Sequence, residues 1–367
     1  MKFPPFEMER MQSTWEHRIQ YDLSESGVEA LTLEEAVRDP RELMRTKLGY
    51  AEGVGRDNTR ALIANFHSGM NAENVVVTTG TSEANYLAIT TLVSPGDEVV
   101  VVMPNYMQLH GLATGLGARV REVWLREERG WTIDLDALAA AVNAKTKVIC
   151  VCTPNNPTGQ ALSRTEIARV VEIADRHGAW IIADEVYRGA ELSGEESASF
   201  SGRGPRVIVT GGLSKVYGLP GLRVGWLVAP ADAAQRALEL KDYTTIAPAT
   251  LSELLGEVAL ERRVKLLERA RFLVNERWPA LEDWAAGHAR ELHWTPPQAG
   301  AICFFSYRFP IDSMALVDRL IREYSTMVVP GIQFRAERHL RVGFGMEPRI
   351  LHAGLAAIDR LLAAVAS

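Results

Sequence analysis

Cysteine is scarce: Cys150, Cys152 and Cys303 are the only three in 367 residues, an odd number that excludes a disulfide framework and a spacing that excludes a zinc site. A reducing compartment follows. Cys150 and Cys152 stand two apart in an apolar run, which predicts small hydrophobes on one face of a buried strand. Long apolar runs are also lacking, since none approaches the ~20 residues that cross a bilayer. The opening Met1-Lys-Phe-Pro-Pro-Phe-Glu-Met-Glu-Arg10 has no apolar core of signal-peptide length. These absences predict a cytoplasmic protein without membrane association. Basic excess is absent too: 40 Lys and Arg against 46 Asp and Glu give a net charge of -6 and a pI near 5.8. No broad affinity for nucleic acid is expected, and any anion must be held by local groups. Repeats, low-complexity tracts and long linkers do not occur.

What is present is an ordinary globular composition, 47% hydrophobic and 23% charged, on a chain long enough for two domains with a cleft between them. From about residue 75 to 230, short β-rich runs alternate with amphipathic helical stretches, the signature of α/β layering. The runs are 75–79, 98–103, 120–125, 147–152, 180–183, 206–210 and 224–228. Their continuous apolar character predicts strands covered on both faces. Helical spacing fills 82–92, 135–142 and 164–177. Beyond Ala231 long charged helical stretches reach His288, followed by a strand at Ile302 to Tyr307, a helix near 312–324, two short strands and a final helix. A large domain over 46–240 and a smaller α+β unit made from 1–45 and 241–367 are expected.

Ligands bind beyond the carboxyl ends of parallel strands, so the polar residues after each run are the ones to inspect. Gly80, Thr81 and Ser82 stand where a strand gives way to a helix, where backbone N–H groups and the helix dipole suit a phosphate. An ordinary N-cap explains them equally. Asn155-Asn-Pro-Thr-Gly159 alone reads as a turn. Asp184, at the end of Trp180-Ile-Ile-Ala183, needs either a cation or a helix-capping role. Lys215 lies in Gly211-Gly-Leu-Ser-Lys-Val-Tyr-Gly-Leu-Pro-Gly-Leu-Arg-Val-Gly-Trp226, where glycines permit close backbone approach to a ligand and Arg223 adds a fixed cation.

Taken in order, Tyr50, Thr79-Gly-Thr-Ser82, Tyr106, Asn155-Asn-Pro-Thr-Gly159, Asp184-Glu-Val-Tyr187, Ser214-Lys215 with Gly221-Leu-Arg223, and Arg341 resemble the class I/II aminotransferases, pyridoxal-phosphate (PLP) enzymes of fold-type I. The resemblance covers nearly the whole chain. It implies an α/β fold in which a large domain holds a mostly parallel seven-stranded sheet between helices, beside a smaller α+β domain. It also implies PLP as cofactor, no metal, an amino acid and a 2-oxo acid as substrates, and a homodimer. Lys215 resembles the lysine that carries the cofactor as a Schiff base and later moves the Cα proton. Asp184 resembles the carboxylate that keeps the pyridine nitrogen protonated, Asn156 and Tyr187 the donors to the phenolic oxygen, and Tyr106 the aromatic stacked on the ring. Gly80, Thr81, Ser82, Ser214 and Arg223 are similar to the phosphate holders, with Tyr50 reaching in from a neighbouring subunit. Arg341 matches the arginine that forks onto the substrate α-carboxylate, a bidentate task lysine does poorly; an edge-strand surface arginine is the plain alternative.

The chain departs from the family at three places. Gly212 stands where many relatives carry Ser or Thr. Arg335 replaces a common glycine and is either a substrate-facing cation or a solvated side chain. The segment Ser24-Glu-Ser-Gly-Val28 and the stretch from Gly212 to Gly221 are weakly similar to capreomycidine synthase, which cyclises a modified arginine. On that likeness Glu25 and Gly27 face a cationic substrate group; otherwise Glu25 is a solvated loop acid. A lyase, a decarboxylase or a cyclase on a cationic amino acid would use the same residues. A non-catalytic PLP sensor of the transcription-regulator kind is disfavoured by the acidic balance and by the lack of a basic surface run.

Overall fold

The computed structural model describes residues 2–366. Val75–Thr79, Val224–Val228, Val207–Gly212, Trp180–Asp184, Thr146–Cys152, Glu98–Met103 and Arg119–Trp124 form one sheet in that spatial order. Only Val224–Val228 runs antiparallel to its neighbours; the other pairings are parallel. Alternate residues of each strand feed opposite cores. Val76, Val99, Val101, Cys150, Ile182 and Leu227 pack on one face, while Val75, Val100, Ile149, Ile181, Val209 and Val228 pack on the other. Burial on both sides explains why these strands read as unbroken apolar runs.

The Gly80–Leu92 helix lies against this sheet and touches the helices Gln108–Gly115 and Ala231–Lys241. On the Arg164–His177 helix, Ser163 and Glu166 form a reciprocal capping box and left-handed Gly178 ends the last turn, satisfying orphan backbone groups at both termini. The helix over 108–115 is not expected from periodicity, because Gln108-Leu-His-Gly-Leu-Ala-Thr-Gly115 carries two glycines and little polar contrast.

A second, antiparallel sheet orders Val329–Pro330, His339–Gly343, Ile302–Tyr307 and Leu292–Trp294. The N-terminal segment joins this part of the molecule: Tyr21–Asp22 pairs in parallel with Thr326–Met327, and Gly343 N–H donates to Leu23 O at 2.7 Å. A Cβ on Gly343 would strike the Glu25 carbonyl. Glycine there is what lets the chain from Leu23 to Gly27 lie close to the strand that carries Arg341. The Thr250–Glu261 helix packs against Asp57–Ala64 and the Val224–Val228 strand. Among the described residues no helix is long and apolar enough to cross a membrane.

Candidate active site

At the carboxyl ends of the parallel strands a cleft of about 300 Å³ opens, and Lys215, Asp184, Tyr187, Asn156 and Arg341 all line it. Lys215 is delivered by the loop after Val207–Gly212, which Leu213 N–H anchors on Val224 O at 2.9 Å. Its Nζ lies 2.8 Å from Glu25 Oε1. The same carboxylate oxygen accepts from the backbone N–H of Ser26 at 2.8 Å and of Gly27 at 2.7 Å. Burial works to raise the Glu25 pKa, but Lys215, the Gly27 N–H and the Arg341 charge outweigh it and hold the pKa down to about 2. For Lys215, burial favours the neutral amine, yet Glu25 and Tyr187 overcome it and raise the pKa. Gly27 therefore serves as a donor to Glu25, packed beside the Lys215 backbone.

Asp184 closes the floor. Its Oδ2 accepts from Asn85 Nδ2 at 2.9 Å and its Oδ1 from Val186 N–H at 3.1 Å. Asn85 is oriented in turn by Thr210, whose hydroxyl donates to Asn85 Oδ1 at 2.7 Å. Burial raises the Asp184 pKa, opposed by Asn85, Val186 N–H and the Lys215 charge. This buried carboxylate has no directly bonded cation among the described residues, so it is suited to receive one. Asn85 escapes a motif reading, although a polar residue one turn into a helix whose other faces are apolar was the available signal.

On the next wall the Tyr187 hydroxyl accepts from Asn156 Nδ2 and donates to Ser26 Oγ, both at 2.9 Å. Asn156 Oδ1 accepts from Arg341 Nη1 at 2.9 Å, and Arg341 Nη2 donates to Ser24 O. Arg341 is 1% exposed, which excludes the edge-surface alternative; its Nε is buried with no protein partner. Burial lowers the pKa of this guanidinium, and Tyr187 and Glu25 oppose the effect. Tyr106 donates to Glu9 at 2.7 Å and leans its ring on Phe6.

At the opposite end Gly80, at φ +73°, opens the Gly80–Leu92 helix, and a Cβ there would collide with the Arg223 guanidinium. Arg223 Nη1 donates to Pro220 O at 3.0 Å and reaches Ser214 Oγ at 3.4 Å. Thr81, Ser82, Ser214 and Arg223 all face the cleft, and Thr81 Oγ1 is a buried hydroxyl with no partner. A hydroxyl left unpaired beside a helix N-terminus and an arginine matches the needs of a phosphate dianion.

Two residues stand elsewhere. Tyr50 is 92% exposed and contributes nothing to the cleft of its own chain. Arg335 donates to Glu122, which also contacts His110, and is absent from the cleft wall. Besides Asn85, the wall residues that motif reading missed include Glu9, Gln12, Glu16 and Cys152. Glu9, Gln12 and Glu16 recur at helical spacing along one face of Glu7–Trp15 and its end, a period visible in the sequence but with no motif to attach it to. Among the described residues no group of His, Cys, Asp or Glu is placed to hold a metal.

A fold with these strand-end groups defines the class of vitamin B6 enzymes, and comparison with known proteins narrows it. The chain matches the family Aminotransferase class I and II over residues 19–358 and belongs to it. Capreomycidine synthase of Streptomyces vinaceus is 33% identical over 347 residues, covering 93% of this chain and 89% of that protein. Arginine–pyruvate transaminase AruH of Pseudomonas aeruginosa is 30% identical, covering 82% and 79%. A PLP-dependent aminotransferase from Streptococcus suis superposes with a TM-score of 0.94 at 30% identity, covering 100% of this chain and 99% of that one. The PLP-dependent cyclase OrfR superposes with 0.91 at 28% identity, covering 99% and 98%. The fold is thus fold-type I and the cofactor is pyridoxal 5′-phosphate, for which the unpaired Thr81 hydroxyl, the Gly80–Arg223 cradle and the buried Asp184 are a chemically fitting set.

Proposed function

We propose that this protein is an aminotransferase that acts on an α-amino acid and a 2-oxo acid. The observation that carries the reading is a single cleft joining a lysine amine, a buried carboxylate and a buried arginine with an unpaired Nε. When bound, the cofactor supplies an electron sink for the pair left when a bond at substrate Cα breaks. Lys215 Nζ would hold the cofactor as a Schiff base and, once displaced, take the Cα proton. Glu25 orients that amine. Asp184, fixed by Asn85 and Val186 N–H, would keep a proton on the ring nitrogen. Asn156 and Tyr187 would hydrogen-bond the phenolic oxygen, Tyr106 would cover the ring, and Gly80, Thr81, Ser82, Ser214 and Arg223 would hold the phosphate. Arg341 has its Nε–H and further N–H groups for a substrate carboxylate, with Asn156 and Ser24 O fixing its plane.

The same reading makes the active unit a homodimer in the cytoplasm. Tyr50, Leu48, Met44 and Tyr243 are large apolar side chains left exposed, as a subunit interface would use, and Tyr50 would complete a partner's phosphate site. Residues 46–240 form the cofactor-holding unit in this reading, with 1–45 and 241–367 as the substrate-facing unit.

A second reading, a cyclase, is favoured by the likeness to capreomycidine synthase and to OrfR. Absorbance of the purified holoenzyme separates the two. Transamination requires an amino donor to convert the aldehyde form of the cofactor to the amine form, and a 2-oxo acid to reverse it. An enzyme that gives no amine form with any donor is not an aminotransferase.

A further inference from the structure

The charges of the cleft do not balance once its expected occupants are in place. Arg223 faces a phosphate, Arg341 a carboxylate, and Lys215, beside Glu25, is taken up by the cofactor it would carry. Two carboxylates on the same wall are then left over. Among the described residues Glu9 has no cation within ion-pair distance, its one hydrogen bond coming from Tyr106. Glu16 has as its ion-pair neighbour the adjacent His17, whose side chain is 89% exposed. Both acids lie on the Glu7–Trp15 helix and its C-terminal end, seven residues and so about two turns apart on one face. Gln12, between them, donates to Ser24 O and Oγ, each at 3.1 Å. Ser24 O also accepts from Arg341, so the acidic face is tied to the arginine that would fix the substrate's carboxylate.

From this we infer that Glu9 and Glu16 determine specificity and that the substrate is an α-amino acid whose side chain ends in a cation, such as a guanidinium or an ammonium. The inference rests on the reading of the cleft as an amino-acid site and deepens it. A dicarboxylic substrate would meet these acids with like charge, and Arg335 is engaged by Glu122 outside the cleft. An apolar side chain packed on Glu9 would strip its water and supply no cation, which is costly, whereas Glu16, with a side chain 43% exposed, draws a cation by charge at the cleft mouth.

The test compares L-arginine with L-citrulline, its neutral isostere, and L-lysine with L-norleucine, by calorimetric titration of the holoenzyme, with cofactor absorbance followed in parallel. The expected result is at least tenfold tighter binding of each cationic ligand than of its neutral counterpart. Glu9→Gln and Glu16→Gln should each cut that ratio several-fold, and together bring it near one, while citrulline affinity moves less than twofold. Equal binding of arginine and citrulline by the unmodified enzyme overturns the inference. So do variants that weaken both ligands alike, since that marks a structural role. If no amino acid perturbs the cofactor absorbance, the amino-acid reading of the cleft falls, and this inference with it.

Discussion

The two ends of the cleft are built differently. The cofactor end comes from consecutive residues at strand ends: Gly80 to Ser82, Asp184 to Tyr187, and Ser214 to Arg223. The substrate end is assembled from Glu9, Gln12, Glu25 and Arg341, up to 332 positions apart in the chain. In the first, short covalent spacing fixes which groups converge, and the sheet fixes where. In the second, position depends on how the N-terminal segment runs past Gly343. A cofactor constant across a family can be met by fixed local motifs, whereas substrate choice is left to the part that can be rebuilt without disturbing the sheet.

If that division is right, the largest losses must come from the cofactor end. Lys215→Ala should abolish borohydride fixation of the cofactor and lower turnover by about 10⁴-fold or more, since both the covalent attachment and the proton-moving base are lost. Mass spectrometry of the borohydride-treated protein is the check; a modified peptide elsewhere in the chain would sink the assignment. Asp184→Asn should follow, at about 10²–10³-fold in kcat, the scale of losing one preorganised electrostatic group. Cofactor content should be nearly preserved, because the phosphate cradle is untouched.

Arg341→Lys probes the other end and should act on KM. Losing two charge-assisted hydrogen bonds, about 3 kcal/mol in all, raises KM roughly 10²-fold with the smaller change in kcat. A comparable fall in cofactor binding instead would mean that the two ends are not separable.

The sheet and the cofactor end were legible because their signals are local. Six strands of the large sheet announce themselves as apolar runs within a residue or two of their true bounds, since burial on both faces leaves little polar alternation; Arg119–Trp124, at the sheet edge, instead alternates exposed and partly buried residues. Lys215, Asp184, Asn156 and Tyr187 follow those runs directly. Arg341 was legible by resemblance alone, its burial being invisible in a segment rich in arginine. Asn85 and Glu9 were not, because their importance lies in a partner far along the chain: Asp184 for one, Tyr106 for the other. Glu25 was left open between a solvated acid and a site residue, and only tertiary packing puts it on Lys215.

Behind the cofactor end sits a group that should affect stability rather than chemistry. Glu185 accepts from Phe200 N–H at 2.7 Å, while its other oxygen is buried with no hydrogen bond, 4.0 Å from Arg188 Nη1. Burial outweighs the nearby Arg188 and raises its pKa to about 7. A carboxyl whose folded pKa is raised holds a proton that the unfolded chain has already released. Its contribution is therefore full below pH ~4.5, falls as pH rises, and is gone above about 7. The loss is on the order of 3 kcal/mol, or several degrees in Tm for a chain of this length. Glu185→Gln should flatten the decline between pH 5 and 8 while leaving the ligand preferences of the substrate end unchanged. An identical slope in the variant would show that another group carries it.

The smallest effect expected distinguishes this chain from many relatives at the cofactor end itself. Gly212 faces Thr81, and a Cβ built on it would lie 2.5 Å from Thr81 Oγ1 and 3.0 Å from the Val224 carbonyl. Gly212→Ser adds the hydroxyl common in the family, but here it must displace the very threonine whose unpaired oxygen faces the phosphate site. One donor is gained and one is pushed aside, so cofactor affinity should weaken by about twofold to tenfold, within the roughly 1 kcal/mol of a single hydrogen bond. Equilibrium dissociation of the cofactor from the two proteins measures it. Tighter binding by the serine variant would mean that Thr81 has room to move, and that the cofactor end is less rigidly specified than its contiguous motifs suggest.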